Sequence, residues 1–346
     1  MVTLRLGSQG PEITRVGLGT WAMSGPYEFG WGPVDDEDST AAIRRAIEAG
    51  VNWVDTAPIY GFGHAEEVIG RALAPFRASE DVLVFTKCGR RWQPDDARGE
   101  IRYDLTPASI RFECEQSLRR LGIEQIDLYQ FHWPDYGTGT PVEESWGVMG
   151  ELQDEGKVRF IGVCNFPLDL LRQIEAVRHV DSLQPPLSML NRHAREQLIP
   201  WCAAHGTGVI SYSPMASGLL TGSFSRDGLE RLAPDDWRRR APMFTEPKFS
   251  QNLALVERLR PVAERLGCDL PALAVAWALA VPGVTAAIVG ARRPAQVDSW
   301  VPAAELELSQ DDLGEVERAI ADTGAGTDEP PQPPGVTLPS KDQAEA

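Results

Sequence analysis

The sequence predicts an α/β protein, an (α/β)8 TIM barrel with an N-terminal hairpin, extra helices and large loops at the carboxyl-terminal face of its strands. The main observation is a repeat of eight units, each with a short apolar segment, a polar residue and an amphipathic stretch. These short segments are apolar along their whole length, which is typical of parallel strands covered by helices. Neither GxGxxG nor GxxxxGK[ST] occurs, which argues against the rival open, doubly wound sheet.

The elements follow this repeat from the N-terminus onward. Residues 3–14 are predicted to form a hairpin before the first barrel strand. The eight barrel strands are predicted at 16–19, 51–55, 82–87, 126–132, 160–165, 181–184, 208–212 and 286–290. Helices are predicted around 43–47 and at 66–74, 106–121, 142–152, 170–177 and 192–205, and from 294 onward. Further helices are predicted at 250–266, 271–280 and 309–323.

Two segments depart from the repeat. Residues 223–248 form an irregular insertion rich in Arg, Pro and Asp, which is too long for a passive connection and is predicted to flank the site. From residue 324 the chain has too few apolar residues to pack. We therefore expect a single barrel domain over 1–323 and a disordered tail over 324–346.

Composition limits the possible partners. The 346 residues carry 33 Lys and Arg against 50 Asp and Glu, a formal net charge of −17. Phosphate-rich surfaces repel such a chain, so neither nucleic acid nor an anionic membrane is an expected partner. No signal peptide or membrane span is recognisable, and five scattered cysteines without CxxC pairs indicate reduced thiols and no metal site. We expect a cytoplasmic protein whose oligomeric state the sequence leaves open.

Polar residues end several predicted strands, and these ends meet at one face of a barrel. Asp55, Lys87 and His132 occupy three of them, and Tyr60 follows Asp55 in the same loop. We expect Lys87, held as a cation by Asp55, to lower the pKa of Tyr60 from about 10 so that Tyr60 donates a proton. His132 would hydrogen-bond the carbonyl oxygen of the substrate that receives this proton. These residues supply no electrons, so a reduction would need a cofactor that transfers hydride.

Seven segments at or near predicted strand ends form a recognisable set: Gly17-Leu18-Gly19-Thr20-Trp21, Asp55-Thr56-Ala57-Pro58-Ile59-Tyr60-Gly61, Phe85-Thr86-Lys87, Gln130-Phe131-His132, Gly162-Val163-Cys164-Asn165-Phe166, Ser211-Tyr212-Ser213-Pro214 and Gly290-Ala291-Arg292-Arg293-Pro294. Together they resemble the aldo-keto reductase superfamily, in the bacterial branch related to potassium-channel β-subunits. The resemblance runs from about residue 3 to 320 and implies a barrel that binds NADPH without a Rossmann motif. It also implies a catalytic tetrad of Asp55, Tyr60 as the acid, Lys87 and His132.

The resemblance also implies how NADPH is held. Asn165 and Gln184 would contact the nicotinamide carboxamide, and Tyr212 would stack on the ring. The loop after the seventh strand would cover the pyrophosphate, and the loop after the eighth would hold the adenosine phosphate, with Arg292 or Arg293 on the 2′-phosphate. Ser299 and Trp300 depart from the Glu-Asn pair that contacts adenine in many members. The implied residues of these two loops are Ser213, Gly218, Leu219, Gly290, Arg292, Arg293 and Gln296.

Substrate recognition is assigned to aromatic residues in loops on the same face. Trp21 and Trp133 follow strand ends directly, and Tyr27 and Trp31 lie in the loop after the first strand. An aromatic wall suits several small carbonyl or alcohol substrates. The leading hypothesis is an NADPH-dependent reductase of aldehydes or ketones. The alternatives are an NADPH-binding regulatory subunit with negligible turnover and a cofactor-free barrel isomerase that uses Lys87 and His132.

Overall fold

The computed structural model describes residues 1–27, 29–79, 82–92 and 101–334. Its strands are β1 (Thr3–Arg5), β2 (Glu12–Thr14), β3 (Val16–Gly19), β4 (Trp53–Asp55), β5 (Leu83–Cys88), β6 (Arg90–Arg91), β7 (Arg102–Tyr103), β8 (Ile126–Phe131), β9 (Val158–Cys164), β10 (Ser182–Gln184), β11 (Gly208–Tyr212) and β12 (Ala286–Gly290). Its helices are α1 (Asp36–Glu48), α2 (His64–Leu73), α3 (Pro107–Leu121), α4 (Val142–Asp154), α5 (Leu168–Glu175), α6 (Leu198–His205), α7 (Arg226–Glu230), α8 (Lys248–Leu266), α9 (Leu270–Ala280), α10 (Pro294–Trp300) and α11 (Gln310–Thr323).

Eight of the strands close into a parallel barrel, which confirms the predicted (α/β)8 TIM barrel. Their order around the barrel is β3, β4, β5, β8, β9, β10, β11 and β12, and β12 pairs with β3 to close it. All eight strands therefore present their carboxyl ends at one face. The predicted polar residues meet there for this reason.

The N-terminal hairpin closes the opposite end of the barrel. β1 and β2 pair antiparallel, and Leu6, which follows β1, and Ile13 of β2 are fully buried. These two side chains belong to the apolar cluster that contains Trp53 and Phe85, whose rings stack inside the barrel. A larger apolar layer lies between the strands and the surrounding helices. The ligand-accessible end is thus the carboxyl-terminal face.

Helix ends agree with the capping residues in the sequence. Thr106 caps the start of α3 by accepting a hydrogen bond from the backbone N–H of Ser109, and Pro107 is the first helical residue. Gly122 ends α3 in the left-handed conformation, which glycine adopts without a Cβ clash. No described helix has the length and apolar character needed to cross a membrane.

The predicted helix over 192–205 was wrong in its first half. The structure has a single 3-10 turn at His193–Arg195, and α6 begins only at Leu198. Pro200 explains the difference, because proline has no N–H to donate and is tolerated only in the first turn of a helix. A helix begun at Arg192 would place Pro200 in its interior.

The insertion and the C-terminal segment are more ordered than the composition suggested. Residues 223–248 contain α7 and 3-10 turns at Trp237–Arg239 and Pro242–Phe244. Residues 324–334, predicted to be disordered, lie against the barrel in the structure: Thr327 pairs with Asn191, and the hydroxyl of Tyr103 donates to the carbonyl of Pro334. Backbone pairing supplies the contacts that the few apolar side chains could not. The rest of the predicted tail, 335–346, lies outside the described residues.

Candidate active site

A cavity of about 840 Å³ opens at the carboxyl-terminal face of the barrel. Asp55, Tyr60 and His132 line its wall, and Lys87 lies fully buried behind them. The structure therefore brings together the four residues of the predicted tetrad. They come from β4, the loop after β4, β5 and the end of β8.

Asp55 and Lys87 form a buried ion pair. The ammonium Nζ of Lys87 donates to Asp55 Oδ1 at 2.5 Å and to the carbonyl oxygen of Thr56 at 2.9 Å. The side chain of Lys87 is 0% exposed and that of Asp55 is 4% exposed, so both are almost completely removed from solvent. A charge buried in this way is tolerated only when it is paired and hydrogen-bonded. The pair fixes the position of the cation in the wall of the cavity.

Gln184 holds the second carboxylate oxygen of Asp55. Its Nε2 donates to Asp55 Oδ2 at 2.9 Å, and Gln130 Nε2 lies 3.5 Å from the same oxygen. Gln184 also lines the cavity, as predicted for a residue that contacts the nicotinamide carboxamide. The sequence did not indicate its bond to the tetrad, because partners 129 residues apart become neighbours only in the closed barrel.

Tyr60 lies between the ion pair and the imidazole of His132. The ammonium of Lys87 is 5.4 Å from the centroid of the Tyr60 ring, and the rings of Tyr60 and His132 meet edge to face at 5.7 Å. The predicted lowering of the Tyr60 pKa was wrong: burial, together with the negative charge of Asp55, raises this pKa well above 10. The Lys87 ammonium does not outweigh these two effects. The phenol stays protonated and can act as an acid.

His132 is a neutral imidazole in this environment. Burial, followed by the positive charges of Lys87 and Arg90, lowers its pKa well below 6.5. Its Nδ1 atom is buried without a hydrogen-bond partner among the described residues. Its backbone carbonyl accepts a hydrogen bond from Asn165 Nδ2 at 3.1 Å. Tyr60 and His132 together can supply neutral hydrogen-bond donors to one oxygen atom.

Asn165 and Tyr212 lie beside this pair at the ends of β9 and β11. The hydroxyl of Tyr212 donates to Asn165 Oδ1 at 2.8 Å, and both residues line the cavity. Asn165 has a φ of +61°, a conformation that asparagine adopts more readily than most residues. Residues other than glycine in this conformation are often found at functional sites.

The loop after β11 follows the cavity wall with an unusual backbone. Ser213, Ala216, Ser217 and Gly218 all have positive φ, and Ser213, Ser217 and Gly218 line the cavity. A Cβ atom on Gly218 would meet nothing within 4 Å, so the backbone there is open to a ligand. Leu219, predicted to cover the pyrophosphate, is instead fully buried in the apolar core and is not part of the lining.

The loop after β12 brings Arg292 but not Arg293 to the cavity. Gly290, Arg292 and Gln296 line it, and the guanidinium of Arg292 donates to the carbonyl oxygens of Trp31 and Pro33. Gln296 Oε1 accepts the backbone N–H groups of both arginines, which orders the start of α10. The Arg293 side chain is 73% exposed and is paired with Asp38, so it lies outside the lining.

Ser299 and Trp300 do not reach the cavity. The Ser299 hydroxyl donates to the carbonyl of Gln296 at 2.7 Å, and Trp300 is fully buried. Neither residue is part of the lining. Because Ser299 and Trp300 stand in place of the Glu-Asn pair, these two positions contribute no polar side chain to the cavity.

The four predicted substrate residues all line the cavity: Trp21, Tyr27, Trp31 and Trp133. Trp21 Nε1 donates to the hydroxyl of Tyr27 and to the carbonyl of Phe29, each at 3.0 Å. The Trp21 and Trp31 rings meet edge to face at 5.5 Å. These contacts fold the loop after β3 against the cavity.

Several lining residues were missed by sequence reasoning. Trp237 of the insertion stacks on Trp21 with ring centroids 5.5 Å apart, and Arg238 lies over the Trp31 ring at 4.7 Å. Arg90, Arg240 and residues 332–334 also line the cavity. The Arg-rich composition of the insertion was the available signal for Arg238 and Arg240. Arg90 lies three residues after Lys87 and had no distinguishing pattern.

The cavity lining is rich in arginine in a protein of net charge −17. Arg90, Arg238, Arg240 and Arg292 line it, and Arg238 is paired with Asp236 at 2.6 Å. Asp55 is the single carboxylate among the described lining residues and is already paired with Lys87. Burial and the neighbouring charges of Arg293 and Arg238 lower the pKa of Arg292. A cluster of like charges in a cavity favours an anionic ligand.

Comparisons with known proteins identify relatives over almost the whole chain. The model of the Aldo/keto reductase family matches residues 15–321. The aldo-keto reductase YhdN of Bacillus subtilis is 34% identical over 92% of this chain and 93% of its own length. The NADH-specific methylglyoxal reductase of Escherichia coli is 35% identical over 90% and 96%. The structure of a glycerol dehydrogenase from Gluconobacter oxydans superposes with a TM-score of 0.84 at 36% identity, covering 97% of this chain and 99% of that chain.

Proposed function

The chain belongs to the aldo/keto reductase family of oxidoreductases, which use nicotinamide cofactors, and we propose that it reduces an aldehyde or ketone reversibly to an alcohol with NADPH. The observation that carries this proposal is the Tyr60–His132 pair at the cavity wall, with the Lys87–Asp55 ion pair directly behind it. Tyr60 is the proposed proton donor. The relatives' names describe carbonyl reduction and alcohol oxidation, and both directions suit such a site.

The lining residues fit a nicotinamide dinucleotide. At the tetrad, Asn165 and Gln184 line the part of the cavity where a carboxamide would bind, and the Tyr212 ring lies beside them. Further along, the positive-φ backbone at Ser217 and Gly218 is open to a phosphate. When bound, the cofactor supplies the hydride.

The residues of this chain would prepare the carbonyl oxygen for reduction. Tyr60 and neutral His132 donate hydrogen bonds to that oxygen, and their strength grows as negative charge develops on it. Tyr60 then gives up its proton, and the phenolate that remains is stabilised by the Lys87 ammonium beside its ring. Asp55 keeps Lys87 in place through this change.

The preference for NADPH over NADH rests on Arg292. Its guanidinium lies at the start of α10, where burial and then the charges of Arg293 and Arg238 lower its pKa, and a 2′-phosphate there would favour the charged guanidinium. Arg293, the other predicted residue, reaches Asp38 instead. Because one relative is named as NADH-specific, both nucleotides belong in the test.

The proposal is tested with Tyr60→Phe. Mixed with NADPH or NADH and a panel of small aldehydes and ketones, the parent protein is expected to oxidise NADPH faster than NADH. Tyr60→Phe should lower kcat by about 10²–10⁴-fold, because the proton donor is lost. Its NADPH dissociation constant, measured by quenching of tryptophan fluorescence, should stay within about twofold of the parent value, since one hydroxyl is removed and the ring remains.

Tyr136→Phe is the matched control, because Tyr136 lies outside the cavity lining and is 38% exposed. It should leave both rate and binding unchanged. Equal rates for Tyr60→Phe and the parent would refute the assignment of the acid. NADPH binding without turnover of any carbonyl would instead support the regulatory subunit, and failure to bind either nucleotide would support the cofactor-free isomerase.

A further inference from the structure

We propose that Glu66 is a positioning residue that holds the loop of Tyr60 against the strand of Lys87 and so keeps the phenol in place for proton transfer. The inference rests on the proposed reductase function, because Tyr60 and Lys87 belong to the site of that reaction. Glu66 lies on α2 and outside the cavity lining. Its effect on the reaction must therefore pass through other residues.

Glu66 is a buried carboxylate with a partner on each of its oxygens. It has no exposed surface. Its Oε1 accepts a hydrogen bond from the hydroxyl of Thr86 at 2.7 Å, and its Oε2 accepts one from Arg120 Nε at 2.6 Å. Such partners are required at this depth, because an unpaired charge in the interior is costly. Glu66 therefore joins α2 to β5 and α3.

The loop over residues 56–63 carries Tyr60, and its first residue is bound to β5. The N–H of Thr56 donates to the carbonyl of Phe85 at 2.9 Å. The carbonyl of Thr56 accepts a hydrogen bond from Lys87 Nζ, also at 2.9 Å. The start of the loop is thus fixed to the strand that carries the ammonium.

Glu66 fixes the other end of this loop to the same strand. The N–H of Ala65, directly before Glu66, donates to the carbonyl of Tyr60 at 3.2 Å. The hydroxyl that Glu66 accepts belongs to Thr86, the residue directly before Lys87. One buried hydrogen bond therefore connects the backbone near Tyr60 with the backbone of Lys87.

Arg120 packs against the same loop. Gly63 has a φ of +100°, and a Cβ atom there would lie 2.7 Å from Arg120 Cδ. The ion pair with Glu66 holds the Arg120 side chain, which is only 17% exposed, against this glycine. A shift of a reacting group by about 1 Å can lower a rate by about 10²-fold. Loosening either contact of Glu66 should therefore slow proton transfer from Tyr60.

The main test is Thr86→Val, which removes the hydroxyl and keeps the branched shape of the side chain. Thr86 is fully buried and outside the cavity lining, so the variant changes no contact with a ligand. With NADPH and the aldehyde that the parent reduces fastest, kcat should fall about tenfold. KM and the NADPH dissociation constant should stay within about twofold. Thr86→Ser keeps the hydroxyl and should restore kcat to within about twofold of the parent value.

Thr14→Val is the matched control, because Thr14 lies in the hairpin at the opposite end of the barrel. Thr14 is also buried, and its hydroxyl donates to the carbonyl of Val16 at 2.8 Å. Urea unfolding should show a loss of stability comparable to that of Thr86→Val. Its kcat should nevertheless stay within about twofold of the parent value, which separates positioning from general stability.

Glu66→Gln tests the carboxylate itself. The variant keeps an oxygen for Thr86 and loses the charge that pairs with Arg120, so kcat should again fall about tenfold with KM within about twofold. Its melting temperature shows whether it folds. If it does not fold, the comparison of Thr86→Val with Thr86→Ser decides the question.

Three results would overturn the proposal: a parent-like kcat in Thr86→Val, an equal fall of kcat in Thr14→Val, or no recovery in Thr86→Ser. Each of them leaves the proposed function intact, since the parent still reduces the aldehyde. A parent that reduces no carbonyl compound would instead refute the proposed function, and this inference with it.

Discussion

Glu113 is a buried residue whose carboxyl group makes the stability of the protein depend on pH. Its carboxyl group is 3% exposed on α3, and Oε1 accepts hydrogen bonds from the N–H of Gly89 and the hydroxyl of Ser109. Burial raises its pKa from 4.5 to about 7, against the opposing effect of these bonds. Its Oε2 has no partner among the described residues. Burial therefore favours the neutral, protonated form of the Glu113 carboxyl group.

This burial predicts a pH-dependent stability that Glu113→Gln removes. A carboxyl whose pKa is raised by folding binds its proton more tightly in the folded state, so stability falls as pH rises from about 4.5 to about 7 and is level above that. A shift of this size corresponds to about 3 kcal/mol. Urea unfolding at pH 5 and pH 8 should show the variant gaining up to that amount relative to the parent. Parallel pH curves for the two proteins would contradict the prediction.

At the same scale, the ion pair explains why the position of Tyr60 was predictable and its pKa was not. The strand-end pattern placed the phenol near Lys87, and the structure agrees. The sign of the pKa shift depends on the sum of desolvation and every nearby charge, and Asp55 belongs to that sum. Composition and spacing contain no information about this sum.

At the scale of the element, β3 is shaped by the absence of a side chain at Gly17. A Cβ atom there would lie 2.1 Å from the ring of Trp53, which is fully buried inside the barrel. The Trp53 indole cannot easily move, because its Nε1 donates to the carbonyl of Thr14 at 2.9 Å. The close approach of β3 to this ring therefore requires glycine.

Gly17→Ala is accordingly expected to destabilise the protein by roughly 1–3 kcal/mol through overpacking. Gly147→Ala is the matched control, since a Cβ atom at that position of α4 would meet nothing within 4 Å. Alanine favours a helix over glycine by roughly 0.5–1 kcal/mol, so the control should be stabilising. Urea unfolding of both variants measures the difference, and equal effects of the two substitutions would be evidence against it.

The insertion is the element whose role depended most on tertiary contacts. Its composition indicated a position near the site, and Trp237 does pack on Trp21 and Trp31. These ring contacts, together with the stacking of Arg238 on Trp31, join the insertion to the loop after β3. Contacts of this kind join segments about 200 residues apart, so local pattern could not predict them.

At the scale of the whole molecule, the segment after α11 ties distant parts of the barrel together. Ala325 is buried, and the N–H of Gly326 donates to the Oδ1 of Asn252, a residue with no exposed surface. Asp328 pairs with Arg192 at 3.0 Å. These contacts connect α8 with the segment before α6.

A chain that ends at Pro334 keeps every one of these contacts. A chain that ends at Gly324 is therefore expected to have a free energy of unfolding about 2 kcal/mol lower than the chain that ends at Pro334, mainly because Asn252 loses a buried hydrogen bond. Urea unfolding of the two shortened chains tests this, and equal stability of both would show that the segment contributes nothing.

The sequence by itself determined the barrel, its hairpin, most element positions and the meeting of Asp55, Tyr60, Lys87 and His132, because strand periodicity, helix caps and strand-end residues are local patterns that a parallel barrel gathers at one face. Only the tertiary structure decided that Arg292 and not Arg293 lines the cavity, that Leu219 is a core residue, and that Gln184 holds Asp55. It also decided the sign of the Tyr60 pKa shift. Side-chain direction, desolvation and the summed field of distant charges exist only once the chain has closed on itself.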